Sequence, residues 1–174
     1  MKPTQLQRLF LSLLCVTTLE ACLKQSPSFH VSENPVRLSD WNLFHLNTAS
    51  LEPTTSNMTF APNNPLFSDY AHKLRTMWIP NGETAYLRGE ELIYPVGTIL
   101  SKTFYYPTNS DGSFVREEDK NLSSLNLAMN KIVETRLLVK REKGWEALPY
   151  VWNDEQTEAF LRIAGASRHV DLTK

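Results

Sequence analysis

A chain of 174 residues has room for one ordinary domain. Its 18 basic residues nearly cancel its 19 acidic ones, so the net charge of −1 supplies no bulk field toward nucleic acid, which is excluded as an expected partner. Two cysteines are too few for a disulfide framework, a four-thiolate zinc site or an iron–sulfur cluster.

Residues 1–21 have the layout of an export signal. Lys2 and Arg8 give a positive start, and residues 9–19 (LFLSLLCVTTL) form an apolar run about half the length that a membrane-spanning helix needs. The run closes on Leu19, Glu20, Ala21 and Cys22, which resembles the bacterial lipobox, where a small residue precedes the cysteine that receives diacylglycerol. Glu20 departs from the small or apolar residue usual there. Cys22 is thus the expected lipidation site, with Cys15 discarded and a membrane as the partner it implies. Leu23 is not the aspartate that retains such lipoproteins at the inner membrane, so the expected place is the outer membrane, facing the periplasm. An ordinary secretory signal cut near the same place is the alternative.

Residues 22–34 are polar and aperiodic, as a tether is, and residues 35–174 read as a single domain. Ser39 or Asp40 is placed to cap a short helix, and the proline-rich stretch 48–65 reads as a loop. Residues 74–79 and 84–87, joined across Asn81-Gly82, have the form of a β-hairpin. Residues 95–106 (PVGTILSKTFYY) follow as a strand, with Leu100, Lys102, Phe104 and Tyr106 on one face and Ile99, Ser101, Thr103 and Tyr105 on the other. After an exposed connection over 107–121, residues 131–141 alternate as a strand with Val133, Thr135, Leu137 and Val139 on one face and Glu134, Arg136 and Lys140 on the other. Residues 142–144 turn the chain into a strand over 145–152. Asn153, with Gln156 three residues on, predicts a helix over 154–163 that stops at Gly165. The expected fold class is α+β, an antiparallel sheet with a few short helices.

The four histidines, His30, His45, His72 and His169, lack metal-ligand spacing. The densest run of chemistry is LFSDYAHKLR over 66–75, where Asp69, Tyr70, His72, Lys73 and Arg75 bring acid, phenol and base together. Its basic members suit an anion such as a carboxylate or propionate, while the same residues also serve as an ordinary capped turn with solvated cations. Lys102 shares a strand face with apolar side chains, so it needs a rim, an aromatic ring or an acid such as Glu134. An enzyme is the reading in which Lys102, Tyr106, Glu134 and the 69–75 cluster meet in one pocket. Trp145, Tyr150 and Trp152 suit either a carbohydrate platform or a core.

The segments LSDWNLF (38–44), NPLFSDYAHKLR (64–75), YPVGTILSKTFYYP (94–107), ETRLLV (134–139) and GWEALPYVWNDEQTEA (144–159) resemble, in order and spacing, the N-terminal region of a family of exported bacterial diheme c-type cytochromes. The resemblance implies an extracytoplasmic electron-transfer protein whose haem-bearing region follows this domain. The chain itself carries no CxxCH motif, so no haem is expected to be bound covalently by its residues. Haem c is implied only where the protein continues beyond Lys174, and the chain is then the front part of a longer one. The partners that follow are that haem-bearing region or a redox protein. A haem-free lipoprotein that binds carbohydrate or an envelope protein is the alternative.

Overall fold

The computed structural model describes residues 26–64, 66–163 and 171–173. The expected signal peptide, Cys15, the lipidation residue Cys22, Gly165 and His169 lie outside them.

A four-residue 3₁₀ turn (Leu38–Trp41) precedes β1 (Phe44–Leu46), β2 (Ser50–Pro53) and β3 (Met58–Thr59). Then come β4 (His72–Trp78), β5 (Tyr86–Arg88), β6 (Glu91–Ile93), β7 (Ile99–Pro107), β8 (Phe114–Val115) and β9 (Leu125–Asn126). The last strands are β10 (Asn130–Arg141), β11 (Gly144–Trp152), β12 (Ala159–Leu161) and β13 (Leu172–Thr173). Six of them form one sheet in the order β12-β11-β10-β7-β4-β3, antiparallel throughout. Every neighbour in this meander is the next strand of the sheet along the chain, and its connections carry the β5–β6 ribbon, β8, which pairs with β13 in parallel, and β9, which pairs with β2. Local pairing of this kind costs little loop-closure entropy.

The alternation of β7 decides which face is buried. Ile99, Ser101, Thr103 and Tyr105 point inward with Leu74 and Trp78 of β4, Leu137 and Val139 of β10, and Leu148, Tyr150 and Trp152 of β11. Against them pack Leu43, Leu51 and Leu125 of the small β1-β2-β9 sheet and Leu38 and Trp41 of the 3₁₀ turn, closing one core. Several of its polar atoms are tied in pairs, Thr76 with Ser101 at 2.6 Å, Thr103 with Thr135 at 2.8 Å, and the Trp41 indole N–H donating to the Tyr150 hydroxyl at 2.7 Å, while the Trp78 indole N–H and the Tyr105 hydroxyl are buried without a partner among the described residues.

The described domain is thus β-rich and antiparallel in its main sheet, and the short helices expected for an α+β fold are replaced. The predicted helix over 154–163 is a turn followed by β12, because residues 159–161 complete the sheet edge beside β11. Asn153 caps that turn, its side-chain oxygen accepting from the N–H groups of Thr157 and Glu158. The Asn81-Gly82 turn forms, but the chain beyond it pairs with β6, since β3 and β7 already occupy both edges of β4. The expected loop over 48–65 contains β2 and β3, and the expected connection over 107–121 contains β8. Of the expected tether, Pro27 is buried, and the Ser28 N–H donates to the Trp41 carbonyl at 2.9 Å. Finally, a β-bulge between Ile132 and Glu134 moves Val133 off the core face, which Ile132 takes instead.

A cationic cleft as the candidate functional site

The outer face of the sheet carries the chemistry. Register places Arg75 of β4 opposite Lys102 of β7, and Lys102 opposite Arg136 of β10, so three cations form one row across three strands. The next row holds Lys73, Phe104 and Glu134. Cross-strand neighbours stand about 5 Å apart at Cβ, a distance at which like charges repel measurably. Only Arg136 is paired, its Nε and Nη2 donating to Glu134 Oε2 at 3.0 and 2.9 Å. Among the described residues, Lys73, Arg75 and Lys102 have no carboxylate within the 4.0 Å of an ion pair, although Lys73 is only 7 % and Arg75 only 9 % exposed. Burial, and then the charges of Arg136 and Arg75 against the pull of Glu134, holds the Lys102 ammonium below its ordinary pKa. Burial and the Arg75 charge do the same to Lys73.

The segment before β4 roofs the Lys102 and Arg136 part of this row. The Ser68 carbonyl accepts from the Ala71 N–H at 2.8 Å, closing a turn whose central residues, Asp69 and Tyr70, both have left-handed backbones at φ 46° and 61°. A tyrosine in that conformation costs about 1 kcal/mol, offset where its ring lies 3.9 Å beneath the Arg116 guanidinium and edge-on to Phe67 at 5.1 Å. The Tyr106 hydroxyl donates to the Asp69 carbonyl at 3.2 Å, and Lys73 Nζ donates to the Leu66 carbonyl at 2.7 Å. Between roof and sheet lies a cavity of about 480 Å³, lined by Asp69, Lys102, Phe104, Tyr106, Glu134 and Arg136, among others. The bulge of β10 is what turns both Val133 and Glu134 toward it.

Asp69, Lys102, Tyr106 and Glu134 therefore do meet, with Lys73 and Arg75 beside them on the same face. His72 does not, because strand alternation splits the dense run: its ring faces the core, Nε2 lying 2.9 Å from the Glu117 carbonyl. Tyr70 turns toward Arg116 and lines a neighbouring cavity with Lys73. The aromatic platform is taken apart as well. Trp152 and Tyr150 are core residues, while Trp145 lies on the opposite face and is 38 % exposed. The site also uses residues not singled out as ligands, namely Arg136, Phe67 and Ser68. Arg136 was legible as an outward residue of its strand, but its place beside Lys102 depends on a register that the bulge shifts.

As a charge distribution, Lys102 and Arg136 share the cavity with the carboxyl groups of Glu134 and Asp69, Arg75 continues the row of cations on the adjoining strand, and Lys73 lines the neighbouring cavity with Glu117 and Asp119. Such a site attracts oxyanions and holds them by charge-assisted hydrogen bonds from lysine and arginine. Among the described residues, no group of three His, Cys, Asp or Glu side chains stands close enough to hold a metal ion, and no helix is long and apolar enough to cross a membrane. Comparison with protein families, with curated proteins and with solved structures finds no match, so the site is read from its own geometry.

Proposed function

We propose that this chain is a lipid-anchored, extracytoplasmic docking domain of an electron-transfer protein, and that its cationic cleft receives an acidic group of the haem-bearing partner or region. The carrying observation is the row of Arg75, Lys102 and Arg136, of which two are unpaired among the described residues and one of those is nearly buried. Cations held partly out of water are rarely left without counter-charge, and like charges side by side in the row repel, so an anion entering the cavity beside Lys102 and Arg136 would relieve both. The resemblance to exported diheme c-type cytochromes supplies the partner class, in which a haem propionate or an acidic side chain has the required chemistry. The lipobox-like segment ending in Cys22 supplies the anchor. The chain has no CxxCH motif, so no part of this function is assigned to a haem held by its own residues.

The test is an intact mass and haem stain of the protein extracted from its own membranes. A lipidated, haem-positive species heavier than 19.9 kDa is expected. In that species the reversal Lys102→Glu should loosen the docked region, read as faster proteolytic cleavage between the two parts. A haem-negative lipidated species with no haem-bearing partner overturns the electron-transfer assignment.

A further inference from the structure

We infer that the end of the sheet where the chain enters the domain is a membrane-facing surface, seated on the headgroup layer of a phospholipid bilayer through Val31, Val96 and Trp145. The inference rests on the lipid anchor proposed above and adds an orientation that the anchor alone does not give.

Reach comes first. Ser26, the first residue described, is four positions beyond Cys22, and so short a piece of chain spans roughly 14 Å when fully extended. An acylated cysteine lies at the headgroup level, so the part of the domain near Ser26 is kept within about one headgroup layer of the lipid. The following residues are fixed rather than free. Arg141 donates to the His30 carbonyl, to Asn34 Oδ1 at 2.7 Å and to Glu146 Oε2 at 2.9 Å, and the Asn34 amide donates to Glu146 Oε1 at 2.7 Å. A Cβ at Gly97 would meet the Phe29 ring at 3.4 Å, which places the incoming segment against the β6–β7 connection.

The surface gathered there has the chemistry of a membrane interface. Val31 is 78 % exposed, Val96 44 % and Trp145 38 %, and all three line one open cavity of about 500 Å³ with Lys143. Trp145 sits next to the β10–β11 turn, opposite Lys140 in register. Its ring meets Tyr94 edge-on at 5.5 Å and lies 5.5 Å from Lys140 Nζ. Tryptophan and tyrosine with lysine at their rim are the residues that settle at headgroup level, rings among the acyl ends and ammonium groups toward phosphate. The cationic cleft lies toward the other end of β7, around Lys102 to Tyr106, and so opens away from the lipid.

The experiment uses the full lipidated chain on vesicles of phosphatidylethanolamine and phosphatidylglycerol, with and without bromine on the acyl chains. Trp41, Trp78 and Trp152 are buried, so bromine should quench chiefly Trp145. Expected is a loss of emission on brominated vesicles that Trp145→Phe abolishes without releasing the protein. Equal emission on both vesicle types, from protein that floats with the lipid, overturns the orientation and leaves the anchor standing. A chain that does not float, and whose mass shows an unmodified Cys22, overturns both.

Discussion

Lys102 is the residue on which the charge balance of the sheet turns. Arg75 and Arg136 flank it in register, and its own ammonium lies 5.2 Å from the Phe104 ring. Replacing it with methionine keeps the stem that packs on the sheet and removes the repulsion with both neighbours. The expected result of Lys102→Met is a more stable domain, by about 0.5 kcal/mol at low ionic strength, in a urea titration. The gain should shrink as salt screens the row. Inorganic phosphate at constant ionic strength should raise the melting temperature of the wild type and leave that of the variant nearly unmoved, because a ligand stabilises only the chain that binds it. A lower melting temperature for the variant without phosphate would mean that Lys102 is a structural residue and the row is not under strain.

Among the elements, the join between β10 and β12 shows how a local signal is redirected by tertiary pairing. The β10–β11 register ends at Glu134 and Val151, and Gln156 then takes the next free backbone groups of β10. Its Oε1 accepts from the Ile132 N–H at 2.6 Å, and its Nε2 donates to the Ile132 carbonyl at 3.1 Å. Gln156 holds φ at 58° for this purpose, so the glutamine that reads as part of a helix cap serves as a side-chain extension of the ladder. Gln156→Ala leaves two backbone groups beside a buried residue unpaired and should cost about 2 kcal/mol, seen as an earlier urea midpoint and faster amide exchange at Ile132. Gln156→Gly eases the backbone but loses the same bonds, so it should also destabilise. A loss confined to a few tenths of a kcal/mol would show that water replaces the amide. The long strands were legible because alternation over 99–106 and 134–140 fixes their faces. β12, β2 and β3 were not, being too short for period or propensity to identify, and their strand state comes from pairing with the edges of β11, β1 and β4.

For the whole molecule, the faces of the strands were readable from sequence but their order was not, and the site depends on order. Lys102 and Glu134 could be nominated from their own strands. That Arg75 and Arg136 flank Lys102, and that residues 67–71 share a cavity with Lys102 and Arg136, follows only from the register of the folded sheet. The same arrangement sets how stability depends on pH. Glu146 accepts from Asn34 and Arg141, so its carboxyl lies below the usual 4.5; the stability it contributes is present above that value and fades as acid protonates the folded form. Lys73 and Lys102 have the opposite sense. Their folded pKa values lie below 10.5, so the unfolded chain binds more protons between the folded value and 10.5, and stability climbs with pH through that window. The tyrosines end the climb. Burial raises Tyr150 to about 12 and raises Tyr105 also, so above pH 10.0 the unfolded chain loses protons that the folded one keeps, and stability falls. Melting temperature against pH should thus rise on the approach to pH 10.0 and drop once the tyrosines of the unfolded chain ionise, and Lys102→Met should flatten the rise while leaving the alkaline fall in place. A wild-type profile that falls on the approach to pH 10.0, or a variant profile that rises as steeply, would show that the cations of the row are hydrated rather than crowded.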